Sequence, residues 1–200
     1  SWISRSAANL LPLSQEKQDF QKALKEWIYT GDAYDLESPM EHCELCEHPD
    51  IRYQFKIVNR LTSNELLVGS ECIGKFEIAA IDRTGRILNS EQSKKKVQRD
   101  RQYLITEAKK KKAINVLVAL SAKDSDFNIN SFISYLQDNG SFTPNQLGLL
   151  FWRLEVQKIE YSACNFKLSL KKNRDKEQLL KMEYWKVQKL WKALSATQRQ

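Results

Sequence analysis

The sequence predicts an α+β protein, mainly α, and three observations carry that expectation. Long stretches repeat apolar residues at helical spacing, above all from Glu91 to about Ala122 and again after Thr143. One short interval, 52–68, instead alternates or clusters apolar residues in the manner of paired strands. Around that interval lie three of the four cysteines and both histidines. Two hundred residues suffice for two small domains. The expected division is 1–85, with an N-terminal helix and the cysteine-rich module, and 86–200, a basic and mostly helical domain.

In chain order, residues 1–13 read as a short lead-in. Ser14 is placed to cap a helix carrying Phe20, Leu24, Trp27 and Ile28 at positions i, i+4, i+7 and i+8, with Gly31 as its C-terminal stop. The acidic segment 32–41, which contains Pro39, connects to the first cysteine pair. Beyond the Pro49-Asp50 turn, Tyr53, Phe55 and Ile57 alternate with Arg52, Gln54 and Lys56, the period of a half-buried strand. The polar run 59–64 turns the chain into Glu65-Leu66-Leu67-Val68, completing a hairpin. Gly69 breaks the strand, and Ser70 opens a short helix containing Cys72, Ile73 and Phe76.

A turn over 82–86 precedes the long helix. Asn130 is placed to cap a shorter helix closed by Asn139-Gly140. Thr143-Pro144-Asn145-Gln146 is a strong helix start, with Thr as cap, Pro first and Gln reaching back from the third position. A strand is expected within 159–171, and helix over about 174–194.

The cysteines carry most of the chemical information. Cys43 and Cys46 form a Cys-x-x-Cys pair, Cys72 follows 26 positions later, and Cys164 stands alone. That distribution suits metal ligands plus one lone buried thiol better than two disulfides. The order of knuckle, hairpin and helix with a ligand in its first turn is the layout of a treble-clef zinc unit. Structural zinc takes four ligands, usually Cys or His. Cys43, Cys46 and Cys72 supply three. The residue three beyond Cys72 is Lys75, which cannot serve, so His48 or His42 closes the set, with Ser70 a weaker choice.

Glu41, Glu44 and Glu47 surround the pair and oppose thiolate formation, which argues against a redox role. No nucleophile–base pair, phosphate loop or carboxylate cluster suggests catalysis, so no enzymatic activity and no catalytic residue is expected. The zinc is expected to be structural.

The runs Cys43-Glu44-Leu45-Cys46-x-His48, Ile51-Arg52-Tyr53-x-Phe55-x-Ile57-x-Asn59 and Val68-Gly69-Ser70-Glu71-Cys72-Ile73-x-Lys75-Phe76 resemble a family of small zinc-binding proteins, largely uncharacterised, from bacteria and their mobile elements. The resemblance covers about 35 residues and implies metal binding, not a reaction. Relatives of the pattern often carry Cys where this chain has Ser70, which raises the standing of His48 as the fourth ligand.

The net charge of +7 is unevenly spread. Residues 1–90 hold 10 Lys and Arg against 14 Asp and Glu; residues 91–200 hold 22 against 11. Lys94, Lys95, Lys96, Arg99, Arg101, Lys109, Lys110, Lys111 and Lys112 lie on the long helix, and Lys171, Lys172 and Arg174 form a later group. Such clusters suit phosphate contacts with DNA or RNA. Trp152, Trp185 and Trp191, spaced with Leu and Phe, are expected in the core.

No apolar run approaches the ~18 residues of a membrane span, and Ser1-Trp2-Ile3-Ser4-Arg5 does not open a signal peptide. The expectation is therefore a cytoplasmic, non-enzymatic, zinc-containing accessory protein that binds nucleic acid. The alternative is a protein-interaction adaptor or inhibitor in a bacterial defence or mobile-element (phage) system.

Overall fold

The structure, a computed structural model, describes residues 1–200. Of these, 52% are helical and one four-stranded sheet is present, so the fold is α+β and mainly α. The chain forms two compact units, Ser1–Thr106 and Glu107–Gln200.

In the first unit, helix α1 (Trp2–Leu10) and the short α2 (Phe20–Leu24) precede strand β1 (Trp27–Asp35). The hairpin β2 (Tyr53–Asn59) and β3 (Glu65–Val68) follows, then α3 (Ser70–Lys75) and the two-residue β4 (Ala79–Ala80). The sheet order is β3-β2-β1-β4, antiparallel except for the β1–β4 pair. The expected hairpin is present, with Phe55 opposite Val68 and Ile57 opposite Leu66. Asn59 closes its turn by accepting from the backbone N–H groups of Leu61 and Thr62 at 2.8 and 3.0 Å.

Three expectations for this unit are corrected. Residues 1–13 contain a helix, α1, rather than a lead-in. The helix expected from Ser14 to Gly31 is only α2, capped by Asp19, which accepts from the N–H of Lys22. Trp27 and Ile28 belong to β1, where burial alternates and Trp27, Ile28, Tyr29 and Thr30 make a β-favouring aromatic and branched run. Gly31 interrupts the strand with φ +96° where the β1–β2 register shifts, a conformation that glycine adopts without steric cost. Ser14 is buried and serves Trp27: the indole N–H donates to Ser14 Oγ at 2.8 Å, and that hydroxyl donates to the Leu10 carbonyl.

The long helix α4 (Ser90–Lys123) is present as expected. Its first half packs with the sheet: Val97 lies in the first core, and Ser93 Oγ accepts from the N–H of Ala80 at 2.9 Å. The unit boundary therefore falls inside α4, at 106/107, and not at the expected 85/86.

In the second unit the remainder of α4 is followed by α5 (Ile129–Asn139), α6 (Pro144–Val156), α7 (Asn173–Leu180) and α8 (Tyr184–Leu190). Asn128, not Asn130, caps α5, and Gly140 ends it in the left-handed conformation, φ +64°. The capping box at Thr143 and Gln146 forms as expected and sets α6 through a core of Leu147, Leu150, Phe151 and Leu154. The strand expected within 159–171 is reduced to one bridge, Phe142 to Leu168, and the helix expected over 174–194 is split into α7 and α8. No helix is long and apolar enough to cross a membrane.

Candidate metal centre and basic surface

The loop between β1 and β2 is pinched by the Glu41–Ile51 bridge and turns tightly within it. Cys43 donates its N–H to the His48 carbonyl at 2.9 Å, and Glu47 donates to the Cys43 carbonyl at 2.8 Å. Glu47 and Asp50 accept positive φ, 61° and 58°, to make this turn. The buried Leu45 anchors it to the core. Glu44 locks it to β3 twice, by N–H to the Leu67 carbonyl at 3.0 Å and by its carboxylate to the Leu67 N–H at 2.6 Å. From the other side α1 reaches over: Arg5 Nε donates to the Cys46 carbonyl and Asn9 Nδ2 to the Leu45 carbonyl.

This scaffold holds Cys43 and Cys46, while α3 brings Cys72 from beyond the hairpin. Cys72 Sγ lies 3.1 Å from Cys46 Sγ and 3.6 Å from Cys43 Sγ, and all three sulfurs are within 4.8 Å of one another. All three residues are buried and none is in a disulfide. The N–H of Gly69 points at Cys43 Sγ at 3.3 Å.

The thiols do not behave alike. Cys43 is held well below its ordinary pKa by the Cys72 thiol and, against the cost of burial, by N–H groups of Gly69, Cys46 and Leu45. Cys72, donating to Cys43 and itself buried, is pushed up. One negative charge is thus tolerated without a cation. Three thiolates this close would repel one another unless a cation balanced them. The cluster could hold a metal ion.

Neither of the expected histidines joins the sulfurs. His48 is exposed and outside the group within 4.8 Å, although it borders the same cavity of about 430 Å³. Ser70 also borders that cavity, whereas His42 is exposed on the preceding residue. The cavity is also lined by Arg5, Arg52, Lys75 and Arg101 and by Asp50 and Glu71, with Arg52 paired to Asp35 at 2.7 Å.

The basic residues separate by burial and pairing. Lys96 drops out of the candidate phosphate surface, being largely buried against Asp100 at 2.9 Å and lying over the Tyr29 ring. Lys95 pairs with Glu91 at 2.6 Å, and Lys94 faces Glu77 at 3.9 Å. Arg99 and Arg101 are exposed, as are Lys109, Lys111 and Lys112, with Lys110 half-buried. Lys171, Lys172 and Arg174 are exposed at the start of α7. By structural unit the contrast sharpens: Ser1–Thr106 holds 15 Lys and Arg against 16 Asp and Glu, and Glu107–Gln200 holds 17 against 9.

Two expectations fail here. Cys164 is exposed, with Ser162 Oγ 3.1 Å from its sulfur, and not buried. Trp152, Trp185 and Trp191 are 45%, 45% and 47% exposed, so they are not core residues. Helical spacing with Leu and Phe misled, because Leu150, Phe151 and Leu154 take the inward face of α6 and leave Trp152 outward.

Compared with family models, curated proteins and solved structures, the chain finds no match in any of the three.

Proposed function

We propose that the protein is a zinc-stabilised, nucleic-acid-binding accessory protein, with a treble-clef-like metal unit as scaffold and the basic second unit as the phosphate-contacting part. A tetrahedral ion with zinc–sulfur bonds of about 2.3 Å sets its sulfurs about 3.8 Å apart. The observed 3.1 and 3.6 Å separations need only small adjustment to reach that. Soft thiolate donors select zinc over the hard cations. His48, which borders the cavity beside the sulfurs, is the preferred fourth ligand among the protein's own side chains. The reading keeps the resemblance to small bacterial and mobile-element zinc proteins as its family-level expectation.

The observation that carries the nucleic-acid reading is the charge of the second unit, net +8 against −1 for the first. Neutralising phosphates with such a surface releases counter-ions, so binding should fall steeply with salt. The test is fluorescence anisotropy with labelled DNA and RNA at about 50 and 200 mM salt. Replacing Lys109, Lys110, Lys111 and Lys112 by Glu removes up to four phosphate contacts. That should flatten the salt dependence and lower affinity at the lower salt by on the order of 100-fold. Negligible affinity for both polymers at low salt would end this reading and direct the search to a protein partner.

A further inference from the structure

A cleft in the second unit, about 750 Å³, is lined by residues of α6, α7 and α8. Gly148, Leu149 and Trp152 line it from α6, with Trp152 one turn beyond Gly148. Met182 and Trp185 line it as well. A Cβ on Gly148 would sit 3.5 Å from Met182 Cε, an ordinary van der Waals contact. Arg174, Lys181 and Lys186 also line the cleft, together with Glu177 and Glu183. Glu183 is neutralised by Lys186 at 2.7 Å. Lys186 and Lys189 place their ammonium groups 5.1 and 4.9 Å from the centre of the Trp185 ring.

Indole surface half open to water is costly to leave uncovered. Here it occurs twice in one cleft, within a unit of net charge +8. Indole rings with cations beside them, Arg153 lying 5.3 Å from the Trp152 ring centre and Lys186 and Lys189 over Trp185, match a polymer of flat rings on an anionic backbone. A duplex hides its base faces in the stack, so only unpaired bases can use these rings. We propose that this cleft binds single-stranded nucleic acid, with unpaired bases stacking on Trp152 and Trp185 and flanking phosphates meeting Arg174 and Lys181. The proposal rests on the nucleic-acid reading above and adds to it a strand preference and a site.

The experiment follows anisotropy and tryptophan emission of the full chain with labelled oligo(dT), oligo(U) and a duplex of the same length. Variants are Trp152→Ala, Trp185→Ala and Trp185→Phe, with circular dichroism verifying that each keeps the fold. Single strands should bind more tightly than the duplex and quench tryptophan emission. Each Ala variant should lose on the order of 10- to 100-fold in single-strand affinity, Trp185→Phe should recover part of it, and the salt slope should stay unchanged. Salt-dependent binding that ignores strand state and both Trp→Ala changes would overturn the stacking site while leaving the nucleic-acid reading intact. Binding of poly-Glu with equal affinity and the same Trp dependence would assign the cleft to an acidic protein segment and overturn it too. Absence of binding to any of the three nucleic acids at low salt would overturn both readings together.

Discussion

The phenol of Tyr29 donates to Asp100 Oδ2 at 2.8 Å, tying the buried middle of β1 to the first half of α4 across 71 positions of sequence. Lys96 Nζ donates to the same oxygen at 2.9 Å and lies 5.5 Å above the Tyr29 ring. A tyrosine with no exposed surface must satisfy its hydroxyl inside the protein, and a carboxylate that accepts twice is a strong way to do it. Tyr29→Phe removes one donor and leaves the Lys96–Asp100 pair, which should cost about 1 kcal/mol. Asp100→Ala strands both the hydroxyl and the ammonium and should cost about 2–3 kcal/mol. Urea unfolding of both single variants and the double variant measures the coupling; equal losses for the two singles would remove Asp100 from the role of anchor.

The same bond predicts an alkaline limb of stability. Burial, and then Asp100, pushes the Tyr29 phenol well above its ordinary 10.0. The folded protein therefore keeps a proton that the unfolded chain gives up above pH 10. This contribution is complete below that pH and declines as pH rises further. Denaturant midpoints measured from pH 9 upward should fall more steeply for the wild type than for Tyr29→Phe.

Glu26 predicts the opposite limb. Burial works against its charge, yet the Asn59 amide at 2.7 Å and the N–H groups of Glu16 and Gln15, each at 2.8 Å, outweigh burial and hold its carboxyl below the usual range. A depressed carboxyl stabilises above the unfolded-state value near 4.5, and that stability is lost as pH falls through the folded value. Glu26→Gln should cost about 2 kcal/mol at neutral pH and flatten the acid limb, because two backbone donors and an amide lose a charged acceptor. Thermal unfolding between pH 7 and pH 3 reads both effects; an unchanged acid limb in the variant would assign acid sensitivity to other carboxylates.

The elements set by local chemistry were legible in the sequence. The β2–β3 hairpin followed from Tyr53, Phe55 and Ile57, and α6 from the Thr143–Gln146 capping box. The three cysteines were legible as one cluster because their spacing implies a turn, a hairpin and a helix start. What was lost depended on contacts distant in sequence. Phe20, Leu24, Trp27 and Ile28 mimic a single helix face, but Glu26, clamped between Gln15, Glu16 and Asn59, ends α2 and releases Trp27 into a strand. Trp27 can be buried there because Ser14 Oγ takes its N–H, a pairing no periodicity reveals. The 85/86 boundary failed for a similar reason: Ser93, Val97 and Asp100 bind α4 to the sheet. A fourth metal ligand was ambiguous in sequence and stays so: His48 and Ser70 border the cavity beside the three cysteines, and the grouped sulfurs number three.

Thr143 offers a check on the second unit by itself. Its hydroxyl accepts from the N–H of Gln146 at 3.3 Å, and Gln146 Oε1 accepts from the Thr143 N–H at 2.9 Å. Thr143→Ala breaks this reciprocal cap at the start of the helix that fills the core, and should cost about 1–2 kcal/mol. Because α6 lies entirely in Glu107–Gln200, the loss should appear without any change in metal content. Metal loss in this variant would contradict that separation.

The metal prediction turns on the cavity beside Cys43, Cys46 and Cys72. The purified protein should carry one zinc per chain, and Cys72→Ser should lose it, since Cys72 is the α3 residue grouped with both other sulfurs. Chelation should lower the thermal midpoint and leave Cys43 and Cys72 sharing protons in place of the ion. Metal binding displaces those protons, so affinity should weaken as pH falls. Cobalt substitution then tests the fourth position. If His48 closes the site, His48→Ala should shift the visible cobalt bands and weaken binding, His42→Ala should do neither, and Ser70→Cys should restore affinity to His48→Ala through a fourth thiolate. Cobalt bands identical in His48→Ala and the wild type would leave the position to a solvent or anionic ligand in the cavity walled by Arg5, Arg52, Lys75 and Arg101. Added phosphate or thiocyanate would then perturb the spectrum, and a histidine-closed site would not respond.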